Sequence, residues 1–259
     1  MPEFHVPELT SRPATTGGGL RGVFMFLFSI FWCSVWGIWC TIFGLLNLQT
    51  LAKFGVMMWP RGTMAVSGVR TVVERRGKME SGKSYVFLSN HQSAMDIPIL
   101  MNACLPEFNV RFMAKESLFK VPFMGWAMSA TGFIPIRRES PRHSAEMFQK
   151  LMQKKRAIPY SYIIFPEGTR SPDGRLQPFK KGSFGLAVRL GIPVVPVTLI
   201  DACRVNPKGR YVVRKGTVHV VFHEPILLDE NASREDRDAL LEKVFDAVKS
   251  ALPEDQRPA

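Results

Sequence analysis

The sequence predicts an α/β fold: a mostly parallel central sheet flanked by helices, preceded by an N-terminal hydrophobic membrane helix or helical hairpin. Three observations lead there. A long stretch near the N-terminus carries no charge, seven short β-branched or aromatic runs follow it, and amphipathic helical patterns separate those runs.

Composition fits this class. At 46% apolar and 22% charged residues the chain is globular, which excludes wholesale disorder and collagen-like or coiled-coil repeats. Its 259 residues suffice for one large α/β domain with a well-buried core, or for two small ones. Lys and Arg outnumber Asp and Glu by 34 to 22, a net charge of +12 that calls for an anionic partner, nucleic acid or a membrane surface. Four cysteines (Cys33, Cys40, Cys104, Cys203) form no CxxC pair and no His/Cys cluster, so neither a zinc site nor a disulfide framework is indicated.

Residues 1–19 read as a flexible polar tail ending in Gly17, Gly18 and Gly19. Residues 20–60 read as a membrane anchor. From Gly22 to Ala52 there is no Asp, Glu, Lys or Arg, and a spanning helix needs only about 20 apolar residues. This stretch selects a membrane over nucleic acid. Gly44, Asn47 and Gln49 weaken its second half, so one helix and a re-entrant pair of helices both fit.

Residues 61–259 form the remaining unit. Strands are expected at Val66–Val73, Tyr85–Ser89, Val110–Met113, Phe133–Ile136, Tyr162–Phe165, Val194–Ile200 and Val218–Phe222. A helix is expected over Ser144–Arg156, where Met147, Phe148, Leu151 and Met152 share a face. The last helix opens at Ser233 with Asp236 three residues on, a capping-box start, and continues as a stripe of Leu240, Leu241, Val244, Phe245 and Val248.

Gly77-Lys78-Met79-Glu80-Ser81-Gly82-Lys83-Ser84 satisfies the P-loop pattern, and Asp201 after an apolar run could pass for its magnesium ligand. A P-loop requires a helix N-terminus after Lys-Ser, whose aligned amides hold the phosphates. Tyr85-Val86-Phe87-Leu88 prefers strand, so the pattern reads as a solvated turn. Lys181-Gly182-Ser183-Phe184-Gly185 lacks the first glycine of a hydrolase nucleophile elbow.

The end of the second strand carries Asn90-His91-Gln92-Ser93-Ala94-Met95-Asp96. An imidazole paired with a carboxylate can act as a general base, the carboxylate fixing its tautomer. Five helical residues turn through about 500°, so His91 and Asp96 should meet across a strand-to-helix corner rather than along one helix. Taken alone, such a pair is more commonly a structural histidine. Phe165-Pro166-Glu167-Gly168-Thr169-Arg170-Ser171 also follows a strand, with Gly168 permitting a tight turn and Arg170 offering a planar fork suited to phosphate.

Together these two blocks resemble the NHxxxxD and FPEGTRS signatures of the glycerolipid acyltransferase family that includes lysophosphatidate acyltransferases. Lys115-Glu116-Ser117-Leu118 with Pro122, Gly125, Gly132, Ile134, Ile136 and Arg137 is similar to the family's second block, and Ile192–Val197 to its fourth. The resemblance covers roughly 65–225. It implies an acyl thioester donor, acyl-CoA or acyl carrier protein, and lysophosphatidate as acceptor, with neither metal nor bound cofactor. It further implies His91 as general base oriented by Asp96, and Asn90, Lys115, Arg137, Glu167, Gly168, Thr169 and Arg170 as substrate-binding residues. The location implied is a membrane, the catalytic domain facing the cytoplasm. Glycerol 3-phosphate or another lysolipid is the alternative acceptor. Outside the class stand a P-loop NTPase and a catalytically silent membrane tether.

Overall fold

Two helices lead the computed structural model, which describes residues 18–105, 107–136, 160–181, 192–210, 212–227 and 233–258. Helix α1 (Gly18–Leu45) is long and apolar enough to cross a membrane. The chain reverses through Asn47, held in the left-handed region at φ 56°, a conformation that asparagine tolerates better than most residues. Helix α2 (Gln49–Ser67) then returns antiparallel to α1, so of the two expected arrangements it is the helical pair that forms. Trp32 Nε1 donates to the Trp59 carbonyl at 3.0 Å and Trp39 Nε1 to that of Leu51 at 2.8 Å. Gly62 lies under the Trp32 ring and Gly55 under Trp39, both pairs two turns apart, and a Cβ at either glycine would collide with the indole above it. Gly68, at φ 71°, caps α2. The first strand therefore begins at Val69, later than expected, and Val66 belongs to the helix.

Among the described residues seven strands follow: β1 (Val69–Arg75), β2 (Val86–Ser89), β3 (Val110–Lys115), β4 (Ile134–Ile136), β5 (Ser161–Ile164), β6 (Val194–Ile200) and β7 (Gly216–Phe222). They build one sheet in the order β1-β7-β6-β2-β5-β3-β4, parallel throughout except for the β6–β7 pair. Helices α3 (Asp96–Cys104), α4 (Met124–Thr131), α5 (Ala202–Val205) and α6 (Arg234–Ser250) complete the described elements, with short 3-10 turns at Glu116–Lys120 and Glu254–Gln256. Arg137 and the predicted helix Ser144–Arg156 lie outside the described residues.

Both faces of the sheet are covered, which is why its central strands read as continuous apolar runs rather than as alternation. Phe87, Ile163 and Val195 pack on one side with Ile99 and Leu100 of α3 and with Val56 and Met64 of α2. Val86, Leu88 and Ile164 point the other way, onto Leu240, Val244 and Val248 of α6. The capping box expected at the start of α6 is complete: Ser233 Oγ accepts from the Asp236 amide, and Asp236 Oδ2 accepts from that of Ser233.

The P-loop pattern builds no phosphate cradle. Gly82 turns at φ 85°, Lys83 pairs with Glu80 in solvent at 2.7 Å, and strand β2 follows where a helix would be required. Gly77 instead packs against the Glu224 backbone, where a Cβ would clash.

Candidate active site

Strands β2 and β5 are parallel neighbours, so their C-terminal ends deliver the His91 and Glu167 blocks to the same sheet edge. That edge is where open α/β sheets bind ligands. The loop after β2 turns directly into α3, whose first residue is Asp96. His91 Nδ1 lies 2.7 Å from Asp96 Oδ2, across the strand-to-helix corner. The same oxygen accepts from the backbone amides of Gln92 at 2.7 Å and Ser93 at 2.8 Å. Asp96 is fully buried while the His91 side chain remains 13% exposed. With Nδ1–H donated to Asp96, Nε2 is the nitrogen left able to accept a proton.

The second block closes around the same histidine. The Phe165 ring stacks on the imidazole, with centroids 3.9 Å apart and planes 15° from parallel. Glu167 Oε1 accepts from the His91 amide at 3.0 Å, and the His91 carbonyl accepts from the Ser171 amide at 2.7 Å. Burial pushes the Glu167 carboxyl up to about 8; the His91 amide pulls it down, and nearby Asp96 pushes it further up. Glu167 Oε2 and Asp96 Oδ1 are buried without a hydrogen-bond partner among the described residues. Gly168 turns at φ 73°, and a Cβ there would press on Lys180 at 3.3 Å.

The remaining expected residues divide by exposure. Thr169 is exposed and Arg170 half-buried on the same loop. The Lys208 ammonium donates to the Arg170 carbonyl at 2.8 Å, adding a second cation beside it. Lys115 is exposed at the end of β3, on the same sheet edge but beyond β5. Asn90 is fully buried. Its amide donates to the Leu199 carbonyl at 2.8 Å and accepts from the Leu199 amide at 2.7 Å, clamping the end of β2 to β6 rather than facing the open side.

Three buried polar residues stand behind the corner: Gln92 and Gln256, to which the sequence assigns no role, and Asp201, which it marks only as a magnesium-ligand look-alike of the P-loop pattern. Gln92 Nε2 donates to the Gly174 carbonyl at 2.8 Å and to Gln256 Oε1 at 3.0 Å. No motif marks Gln256, which comes from the far end of the chain. Lys208 was equally unmarked, since a surface lysine in a basic chain carries no signal.

Residues 70–200 match the family described as Acyltransferase. The chloroplastic 1-acyl-sn-glycerol-3-phosphate acyltransferase BAT2 of Brassica napus is 42% identical over 144 residues, 54% of this chain but 40% of that protein. A protein of the same enzyme name from Pseudomonas aeruginosa is 31% identical over 213 residues, covering 80% of this chain and 81% of the relative. The crystal structure of the 1-acyl-sn-glycerophosphate acyltransferase PlsC from Thermotoga maritima matches with a TM-score of 0.74 at 26% identity, over 90% of this chain and 94% of that one. From the paired His91 and Asp96 at the sheet edge to the matched residues around them, the chain belongs to the acyltransferase family.

Proposed function

We propose that this protein is a membrane-bound 1-acyl-sn-glycerol-3-phosphate O-acyltransferase. It transfers a fatty acyl group from acyl-CoA or an acyl carrier protein thioester to the free hydroxyl of lysophosphatidate, giving phosphatidate. The observation that carries this reading is the corner itself: a partly exposed imidazole whose Nδ1 is tied to a buried carboxylate oxygen that two further amides hold in place.

An alcohol is a weak nucleophile at neutral pH, whereas a thioester is an activated donor. His91 Nε2 takes the hydroxyl proton as the oxygen attacks the thioester carbon. The tetrahedral intermediate then expels the thiolate, which recovers the proton from His91. Asp96 fixes the tautomer and stabilises the imidazolium that forms between the two steps. A base so placed contributes about 10²–10⁴-fold. Arg170, with Lys115 and Arg137, supplies cations for the acceptor's phosphate. Glu167, Gly168 and Thr169 shape the loop that carries Arg170, and Asn90 anchors the strand end behind His91. The reaction as written uses the thioester as co-substrate and no other cofactor.

The apolar α1, with Phe24, Phe26, Leu27, Ile30 and Phe31 all more than half exposed, supports attachment to a bilayer, where acceptor and product reside. The basic chain favours anionic lipid on the cytoplasmic side. The test is purified protein assayed with lysophosphatidate, glycerol 3-phosphate, other lysolipids and monoacylglycerol, each with acyl-CoA and with acyl carrier protein thioester. Turnover of lysophosphatidate well above the other acceptors is expected. A preference for glycerol 3-phosphate or for another lysolipid would move the acceptor to that compound, and no acyl transfer at all would leave the silent tether.

A further inference from the structure

Near its C-terminus the chain runs back to the catalytic corner. Gln256 is 2% exposed although it stands three residues from the end of the sequence. Its side-chain oxygen accepts from the Asp201 amide at 3.1 Å and from Gln92 Nε2 at 3.0 Å; its side-chain nitrogen donates to Asp201 Oδ1 at 2.6 Å. Its carbonyl accepts from the Leu176 amide at 2.9 Å. One glutamine thus joins the loop after β2, the loop after β5 and the turn after β6.

Two features show how closely this junction is built. Asp201 turns the chain after β6 at φ 68°, a left-handed conformation that aspartate tolerates better than most residues. Gly174, whose carbonyl also accepts from Gln92, turns at φ 86° so close to Cys203 that a Cβ would lie 2.6 Å from its sulfur. Gln92 Oε1 has no partner among the described residues, so the two bonds from its nitrogen orient this side chain. The Gln92 amide in turn grips the Asp96 oxygen that faces His91.

We infer that Gln256 is a positioning residue for the reaction: through Gln92 it holds the amide turn that fixes Asp96, and so the aim of His91. The inference rests on the acyl-transfer reading of the same site, and it assigns the C-terminal segment Glu254–Gln256 to the active-site architecture. Around position 256 stand Asp201 and Arg204, with Asp255 and Arg257 in the chain on either side, Cys203 beside Gly174, and Arg175 donating to the Arg257 carbonyl.

The experiment uses the full chain in detergent, in parent, Gln256→Ala and Gln256→Glu forms. Hydrogen exchange at the Gln92 and Ser93 amides should speed up at least tenfold in Gln256→Ala. Its kcat with lysophosphatidate should fall at least tenfold, with both KM values within threefold of the parent. In Gln256→Glu a second carboxyl faces Asp201, so the new side chain holds its proton more strongly than a free carboxyl. Once protonated, it offers a donor to Asp201 Oδ1 and an acceptor to Gln92, as glutamine does. Its activity per folded molecule, with the folded fraction read by circular dichroism at each pH, should therefore recover relative to the parent as pH falls from 8 to 5.5; a purely structural role would raise the folded fraction on protonation and leave the activity per folded molecule unchanged. Parent-like exchange and kcat in Gln256→Ala would overturn the inference, as would an activity ratio per folded molecule in Gln256→Glu that does not change with pH. If Gln256→Ala does not fold, the Gln256→Glu ratio decides by itself. If the parent acylates no lysophosphatidate, the functional reading fails, while the exchange measurement still decides whether Gln256 holds the corner.

Discussion

At the end of β2 one carboxylate oxygen accepts from an imidazole and two amides within six consecutive residues, whereas the hairpin of α1 and α2 is held by indole rings lying over glycines. The corner is directional, since each bond fixes the angle at which the imidazole is held, and Asp96 keeps its two amide partners when the imidazole is removed. The hairpin depends on close contact, and its two indole bonds to backbone carbonyls set register more than chemistry. Damage to the first should therefore remove activity before stability, and damage to the second should do the reverse.

The largest expected effect is on the corner. His91→Ala should lower acyl transfer by at least 10²-fold with a melting temperature close to the parent's. Retention of more than about a tenth of the activity would exclude a general base of that strength. Arg170→Ala comes next. If the guanidinium holds a phosphate by charge-assisted bonds, kcat/KM for lysophosphatidate should fall by about 2–4 kcal/mol, with the KM for the acyl donor little changed. Arg170→Lys should recover only part of this, because the charge returns without the fork. Equal loss with a phosphate-free monoacylglycerol in a folded variant would remove the phosphate assignment.

On the hairpin side, Gly55→Val forces a side chain into Trp39 and Cys40 and should cost about 1–3 kcal/mol by overpacking. Thermal unfolding in detergent should show the loss, while the surviving folded fraction keeps its kcat. A fall in kcat at unchanged stability would mean that the hairpin aims the corner directly.

Glu167 supplies a test by pH. Its carboxyl is raised to about 8 when folded, against an ordinary value near 4.5, so the folded protein holds a proton that the unfolded chain releases. This stabilising difference is largest at and below the ordinary value, and it disappears as pH rises through the window up to about 8. Glu167→Gln keeps the neutral form at every pH. Its stability relative to the parent should therefore climb across that window, on the order of 1 kcal/mol per pH unit. Parallel stability curves for the two proteins from pH 5 to 8 would show an ionised Glu167. The smallest effect belongs to Lys83→Ala, expected to stay within about twofold of parent activity, since Lys83 pairs with Glu80 in a solvated turn. Saturable ATP binding lost with Lys83 would reinstate the P-loop.

Much of the molecule is legible along the chain. All seven described strands overlap the runs that predict them, the central ones because a sheet covered on both faces requires apolar residues at nearly every position, whereas the edge strand β1 leaves Val72 and Val73 exposed. Their ends were less legible. Val66 reads as strand by composition, yet α2 keeps it, since Gly68 and not side-chain propensity sets the boundary. The His91 and Asp96 corner was readable because it is built from residues close in sequence, with a spacing that fits a turn and not a helix.

The strands, the charge-free segment and the local corner are thus written in short-range pattern along the chain. Tertiary structure alone decided that α1 turns back through Asn47, that Phe165 stacks on His91, that Asn90 faces β6, and that Gln256 reaches Gln92. Each of these contacts joins residues distant in sequence or depends on which way a loop turns. Buried polar residues must find partners wherever the fold brings them, and no periodicity along the chain records which partner that is.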